Sequence, residues 1–170
     1  MMAVASLGVS VRAAVPGDAE GIVALLDTVA HEGSLGIPRA PRRAAEERAA
    51  LAALPPSLGG AWVAVQTGVV VGHLLAARGP VPYRDHLAEI AVAVDRRRRG
   101  HGIGGALLDQ GLAWAGAHGL LKVCASVFAD NTAALRLFAS RGFAAEGTRQ
   151  GQFRVEGVSR DEIFLARFLG

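Results

Sequence analysis

The chain has one cysteine (Cys124), one lysine (Lys122) and one tyrosine (Tyr83) in 170 residues. A single cysteine excludes an internal disulfide and any metal site built from several thiolates. Cys124 lies inside an apolar run and reads as a small buried residue. Lysine is nearly absent because arginine takes seventeen of the eighteen basic positions; with so many alanines and glycines, this reads as a coding bias. The net charge of +3 is too small to argue for a nucleic-acid partner. No long apolar run is unbroken. Residues 61–77 are the most apolar long stretch, yet Gln66, Thr67, Gly68 and His73 interrupt it, which fits a hairpin and not a membrane span. The first eleven residues lack the basic start of a signal peptide. The expectation is a cytoplasmic protein with no membrane, nucleic-acid or metal partner.

What is present is a chain long enough for one domain with a real core, and 51% hydrophobic, which excludes disorder. Residues 10–14 read as a first strand. Pro16-Gly17-Asp18 starts a helix whose Ile22, Leu25, Leu26 and Val29 share one buried stripe. Residues 42–54 form a second helix that Pro55-Pro56 stops. Residues 62–66 and 69–76 are strands joined by a Thr67-Gly68 turn. Residues 87–94 are a strand apolar on both faces, and so expected to be covered on both. Residues 104–118 form a helix, 120–128 a buried strand and 133–141 a short helix capped by Asp130 or Asn131. Residues 143–148 and 162–168 are closing strands, with 152–158 a further strand turning at Gly157.

The organising stretch is 87–117. An apolar strand containing Glu89 is followed by Arg96 to Arg99, then by Gly100-His101-Gly102-Ile103-Gly104-Gly105, then by a helix. Glycines let the backbone turn tightly and approach a ligand. A helix start carries unpaired N–H groups and partial positive charge. Together these make a site for a phosphate or pyrophosphate, with arginine charge beside it.

Gly100, Gly102 and Gly105 also spell G-x-G-x-x-G, the dinucleotide fingerprint, with Asp130 available as a ribose-binding acid. Five polar residues separate Val94 from Gly100, and 65 residues follow Gly105, too few for a six-stranded doubly wound domain. A nicotinamide-dependent oxidoreductase is thus the weaker alternative.

Arg99-Gly100-His101-Gly102-Ile103-Gly104 fits the pattern R/Q-x-x-G-x-G/A, and Asn131-Thr132-Ala133-Ala134 with Gly142-Phe143 follows in order. In these residues the chain resembles the GNAT superfamily of N-acetyltransferases. The resemblance covers about residues 87–143. It implies a single α/β domain, residues 1–170, with a mixed, mostly antiparallel central sheet and helices on both faces.

It also implies acetyl-CoA as cosubstrate and direct acetyl transfer to a primary amine, on a small molecule or a peptide N-terminus. The cofactor site would draw on Val92, Val94, Arg97, Arg99, Gly100, His101, Gly102, Ile103, Gly104, Gly105 and Asn131. Loop N–H groups would take the pyrophosphate, the Val92 and Val94 backbone would take the pantetheine arm as if a strand were added, and Asn131 would meet that arm. Bulk at position 102 or 104 would push the backbone off the phosphates. Glu89, the lone acid of the strand, would be the general base, improved by partial burial.

Many members place a tyrosine four residues before the Gly of Gly-Phe as proton donor; here that position is Phe138. Tyr83, Ser140 or water could serve, or the thiolate could leave unprotonated. A non-catalytic acyl-CoA-binding module is the alternative that Phe138 suggests. The acceptor loops would be 31–41, 79–86 and 149–160, and homodimers are common in the family.

Overall fold

In the computed structural model, residues 2–4, 8–32, 43–79 and 81–170 are described. The chain runs β1 (Met2–Val4), β2 (Val9–Ala13), α1 (Ala19–His31), α2 (Ala44–Ala53), β3 (Gly59–Gln66), β4 (Val69–Arg78), β5 (Leu87–Val94), α3 (Ile103–Ala117), β6 (Lys122–Phe128), α4 (Thr132–Ala139), β7 (Ala144–Val155) and β8 (Val158–Phe168). The eight strands form one sheet in the order β1-β2-β3-β4-β5-β6-β8-β7. Every neighbouring pair is antiparallel except β5 and β6, which α3 connects. A dinucleotide-binding unit needs a largely parallel sheet, so the oxidoreductase alternative falls here.

Helices lie on both faces. On one face, the expected stripe of α1 (Ile22, Leu25, Leu26, Val29) is buried against Val63 of β3 and Ala93 of β5. The helix start is tied to β2: the Asp18 carboxylate accepts from both Nη atoms of Arg12, at 2.7 and 2.8 Å, and from the Val15 N–H at 2.8 Å. The hydrogen bond from Arg12 holds the Asp18 carboxyl below the usual carboxylate range, against a desolvation effect of opposite sign.

On the other face, α3 packs Leu107, Leu108, Leu112 and Trp114 into the main core with Leu74, Ile90 and Val94. Gly111 permits this approach, because a Cβ there would stand 2.5 Å from Ile90 Cδ1. Trp114 makes an edge contact with Trp62, centroids 6.5 Å apart, and its indole N–H donates to the Pro56 carbonyl at 2.8 Å.

Several expectations change. β1 was not visible as an element in the sequence. β5 is not covered on both faces: Glu89 and Ala91 are exposed, because α1 reaches only as far as Ala93. Cys124 is half-buried and not fully buried. Residues 144–155 form one long strand, so most of the expected 149–160 loop is the hairpin of β7 and β8. Of the expected 31–41 loop, residues 33–41 lie outside the described residues.

Candidate functional site

β5 and β6 pair over three rungs only: Leu87 with Lys122, Ala88 with Val123, and Glu89 with Cys124. Beyond them the strands part. β5 stays paired with β4 as far as Val94, and β6 stays paired with β8 as far as Phe128. The sheet therefore opens along the second half of β5. Peptide groups alternate between the two edges of a strand. The Val94 carbonyl accepts from Arg99 Nε at 3.0 Å on the open edge, so Val92 presents its N–H and C=O to that same edge.

One cleft, about 460 Å³, lies at this opening beside the N-terminus of α3. It is lined by Val92, Val94, Arg99, Gly100, Gly102, Ile103, Gly104, Gly105 and Asn131, nine of the eleven residues expected to bind the cofactor. Arg97 and His101 are not in its lining; the Arg97 N–H donates to Asp95 Oδ1 at 2.7 Å, and a His101 ring nitrogen meets the Arg99 carbonyl at 2.8 Å. Arg98, one of the four arginines expected beside the phosphate, is in the lining, and Ala133, Ala134, Arg136 and Leu137, which were not expected, complete it.

Gly102 is the N-cap of α3 at φ +82°, with no side chain to cap the first-turn N–H groups of Ile103, Gly104 and Gly105. Gly100 is also left-handed, at φ +78°. A Cβ on either would meet nothing within 4 Å, so conformation demands glycine there. Gly104 and Gly105 also have close neighbours on the protein side. A Cβ at 104 would stand 2.9 Å from Leu137 Cδ2, and one at 105 would stand 2.1 Å from Arg141 Nη2. They let α4 and its following turn close on α3, where Arg141 pairs with Asp109 at 2.9 Å.

The arginines divide their work. The Arg99 fork is taken by Glu32 at the end of α1, at 2.7 and 3.0 Å, so it joins the glycine loop to the opposite layer. Arg98 and Arg136 stand at the cleft on either side. The Asn131 side-chain oxygen accepts from the Ala134 N–H at 3.0 Å, so the helix-cap role is present at the cleft wall.

A second cavity, about 890 Å³, lies on the α1 face of the opening. It shares Val92, Asn131 and Ala134 with the first, so the two meet there. Glu89 lines it. Its side chain is 63% exposed and paired with Arg84 at 2.7 Å, where partial burial had been expected. Phe138 is buried, edge-on to Phe143 with centroids 5.0 Å apart. Tyr83 is 92% exposed, and the Ser140 hydroxyl donates to the Leu137 carbonyl at 2.7 Å. Burial pushes the Cys124 thiol up, and the thiol also lines this cavity.

Arg84, Arg149, Phe153 and Glu162 line the cavity as well, and sequence reasoning had not singled them out. Among the described residues no group of His, Cys, Asp and Glu could hold a metal ion, and no helix is long and apolar enough to cross a membrane.

The sequence model described as the acetyltransferase (GNAT) family matches residues 27–143. An L-amino acid N-acetyltransferase of Escherichia coli is 30% identical over 115 residues, which is 62% of this chain and 65% of that protein. The chain thus spans just under two thirds of that relative. A ribosomal-protein-alanine N-acetyltransferase from Brucella melitensis superposes with a TM-score of 0.85 at 26% identity, covering 94% of this chain and 99% of its own. A phosphinothricin acetyltransferase from Sinorhizobium meliloti, solved in complex with AcCoA, superposes with a TM-score of 0.88 at 23% identity, covering 96% and 89%.

Proposed function

The chain belongs to the acetyltransferase (GNAT) family, and on that premise we propose that residues 1–170 are one acetyl-CoA-dependent N-acetyltransferase domain acting on an amine. The observation that carries this reading is the glycine-shaped start of α3 opening onto the gap between β5 and β6. Acetyl-CoA would supply an activated acyl group, with amine nitrogen bonding to the carbonyl carbon as the carbon–sulfur bond breaks and the pair leaves on sulfur. The N–H groups of Gly102 to Gly105 take the pyrophosphate, reinforced by Arg98 and Arg136. The Val92 peptide edge holds the pantetheine arm in extension. Asn131 stands where the two cavities meet and positions the same arm.

Glu89 is the base, removing the amine proton through water, since its carboxylate faces solvent and already pairs with Arg84. Phe138 cannot donate a proton, Tyr83 points to solvent and Ser140 is engaged with Leu137. The thiolate therefore leaves without a dedicated acid, which a thiol of pKa about 8.5 tolerates. The E. coli relative's name points to amino acids, and the Brucella structure's name to a ribosomal-protein alanine, as acceptor classes. Our reading takes either kind of primary amine, in the cytoplasm, in a homodimer or a monomer.

The same Phe138 supports a second reading, a non-catalytic acyl-CoA-binding module. Calorimetry against acetyl-CoA, CoA and NAD, then an amine panel with free-thiol detection, separates the two. Acetyl-CoA binding with acceptor-dependent thiol release is expected. Binding without release favours the module, and no binding ends both.

A further inference from the structure

Glu162 of β8 is a buried acid that the reaction above does not use. Its side chain is 91% buried (9% exposed), and its Oε2 has no hydrogen-bond partner among the described residues. A buried carboxylate oxygen without a donor is costly, and a fold retains one where something else supplies the donor. The nearest cation is Arg149 of β7, directly across the ladder, yet Arg149 Nη1 stops 3.7 Å from Oε2. Two features hold it there.

The Arg149 guanidinium lies over the Phe164 ring, 4.3 Å from its centroid. The ladder also bulges immediately after the pair: β7 spends residues 150–152 where β8 spends only Asp161, and the Gly151 N–H donates to Asp161 Oδ1 at 2.8 Å to fix the bulge. A bulge re-aims the side chains beside it. Both charged groups line the larger cavity, with Phe128 and Phe153 beside them as an edge-on pair, centroids 5.3 Å apart.

We propose that Glu162 and Arg149 form a clamp for a zwitterionic acceptor, an α-amino acid with an apolar side chain. The acceptor's ammonium donates to the Glu162 carboxylate, the acceptor's own carboxylate takes the outward edge of the Arg149 fork, and its side chain lies on the phenylalanines. The ligand completes a pair that the protein holds apart. This rests on the amine-acetyltransferase reading and names which amine the cavity selects.

The test is calorimetry on CoA-saturated protein with L-phenylalanine, phenethylamine, which lacks the carboxylate, and 3-phenylpropionate, which lacks the ammonium. L-phenylalanine is expected to bind at least about 10-fold more tightly than either, the scale of one charged hydrogen bond. In Glu162→Gln its affinity should fall roughly 10- to 100-fold, to that of 3-phenylpropionate. In Arg149→Met it should fall to that of phenethylamine. Glu162→Leu, which also removes the orphan oxygen, should melt no lower than the parent.

Equal binding of the three ligands, an unchanged ranking in Glu162→Gln, or a large drop in melting temperature for Glu162→Leu would overturn the clamp. Acetyl-CoA affinity is measured on the same samples. If it is intact while the ranking fails, only the clamp is lost; if it is absent, the acetyl-transfer reading is lost.

Discussion

On the α3 side of the opening, the walls are mostly main chain: left-handed Gly100 and Gly102, the first turn of α3 and the free edge of Val92. On the α1 side the walls are side chains: Arg84, Glu89, Arg149, Phe153 and Glu162. On the proposed function, peptide groups would recognise what every substrate of a family shares, a phosphate and an extended amide arm, with few side-chain choices. Side chains recognise what differs, so the second cavity can change its ligand without disturbing the first. Gly104 and Gly105 add to this, since they serve the seating of α4 on α3 and thus the rigidity of the main-chain wall.

The contrast can be broken at its strongest point first. Glu89→Gln is expected to cut turnover about 10²- to 10³-fold with acetyl-CoA affinity unchanged. Steady-state kinetics beside calorimetry check this, and equal turnover at all pH values would remove Glu89 from the chemistry. Gly102→Glu should weaken acetyl-CoA binding by about 100-fold, since it forces a left-handed side chain and sets a negative charge at a helix start. An unchanged Kd would mean that the loop backbone does not grip the ligand.

Arg136→Ala sharpens the comparison by testing how much side-chain charge adds to the main-chain wall. A loss of roughly 3- to 10-fold in acetyl-CoA affinity is expected, shrinking as salt is raised from 50 to about 500 mM.

The smallest effect belongs to Asp18, which lines neither cavity. Asp18→Asn should cost about 1–2 kcal/mol, discounted because Arg12 is partly exposed, with acetyl-CoA affinity intact. The Asp18 carboxyl is lowered from 3.8 in the fold, so the unfolded chain takes up its proton first as pH falls. Its stabilisation is present above about pH 4 and is lost as pH drops through the folded value. Melting curves of the parent and the variant should therefore converge on the acid side and separate above it.

The main-chain wall was legible because it is local. Gly100 to Gly105 are consecutive, and their neighbours in sequence are their neighbours in space. The α1 stripe and the Thr67-Gly68 hairpin were legible for the same reason; both turn residues have positive φ, at +47° and +81°. Of the side-chain wall, Glu89 and the stretches holding Arg84, Arg149 and Phe153 were legible, but the pairing of Arg149 with Glu162 was not. Arg149 and Glu162 meet only because β7 and β8 pair, and the bulge that sets their spacing depends on Asp161 reaching back to Gly151. The Arg99–Glu32 fork joins residues 67 positions apart, so nothing in the sequence signals that an arginine of the cleft lining is also a strut to α1. Glu89 looked half-buried because its strand is apolar, and only the reach of α1 decides that it is not.

The three rungs joining β5 to β6 also act as a fulcrum. Ala88 and Val123, at 0% and 1% exposure, sit at its apex deep in the core. A change of volume there is a change of angle between two half-sheets, and leverage multiplies it along the strands. At Val94, six residues and about 20 Å beyond Ala88, a small tilt becomes a real difference in aperture. Packing far from the cleft is therefore a lever on how wide the jaws stand, and drift in the core can reset that width while every group lining the cleft stays the same.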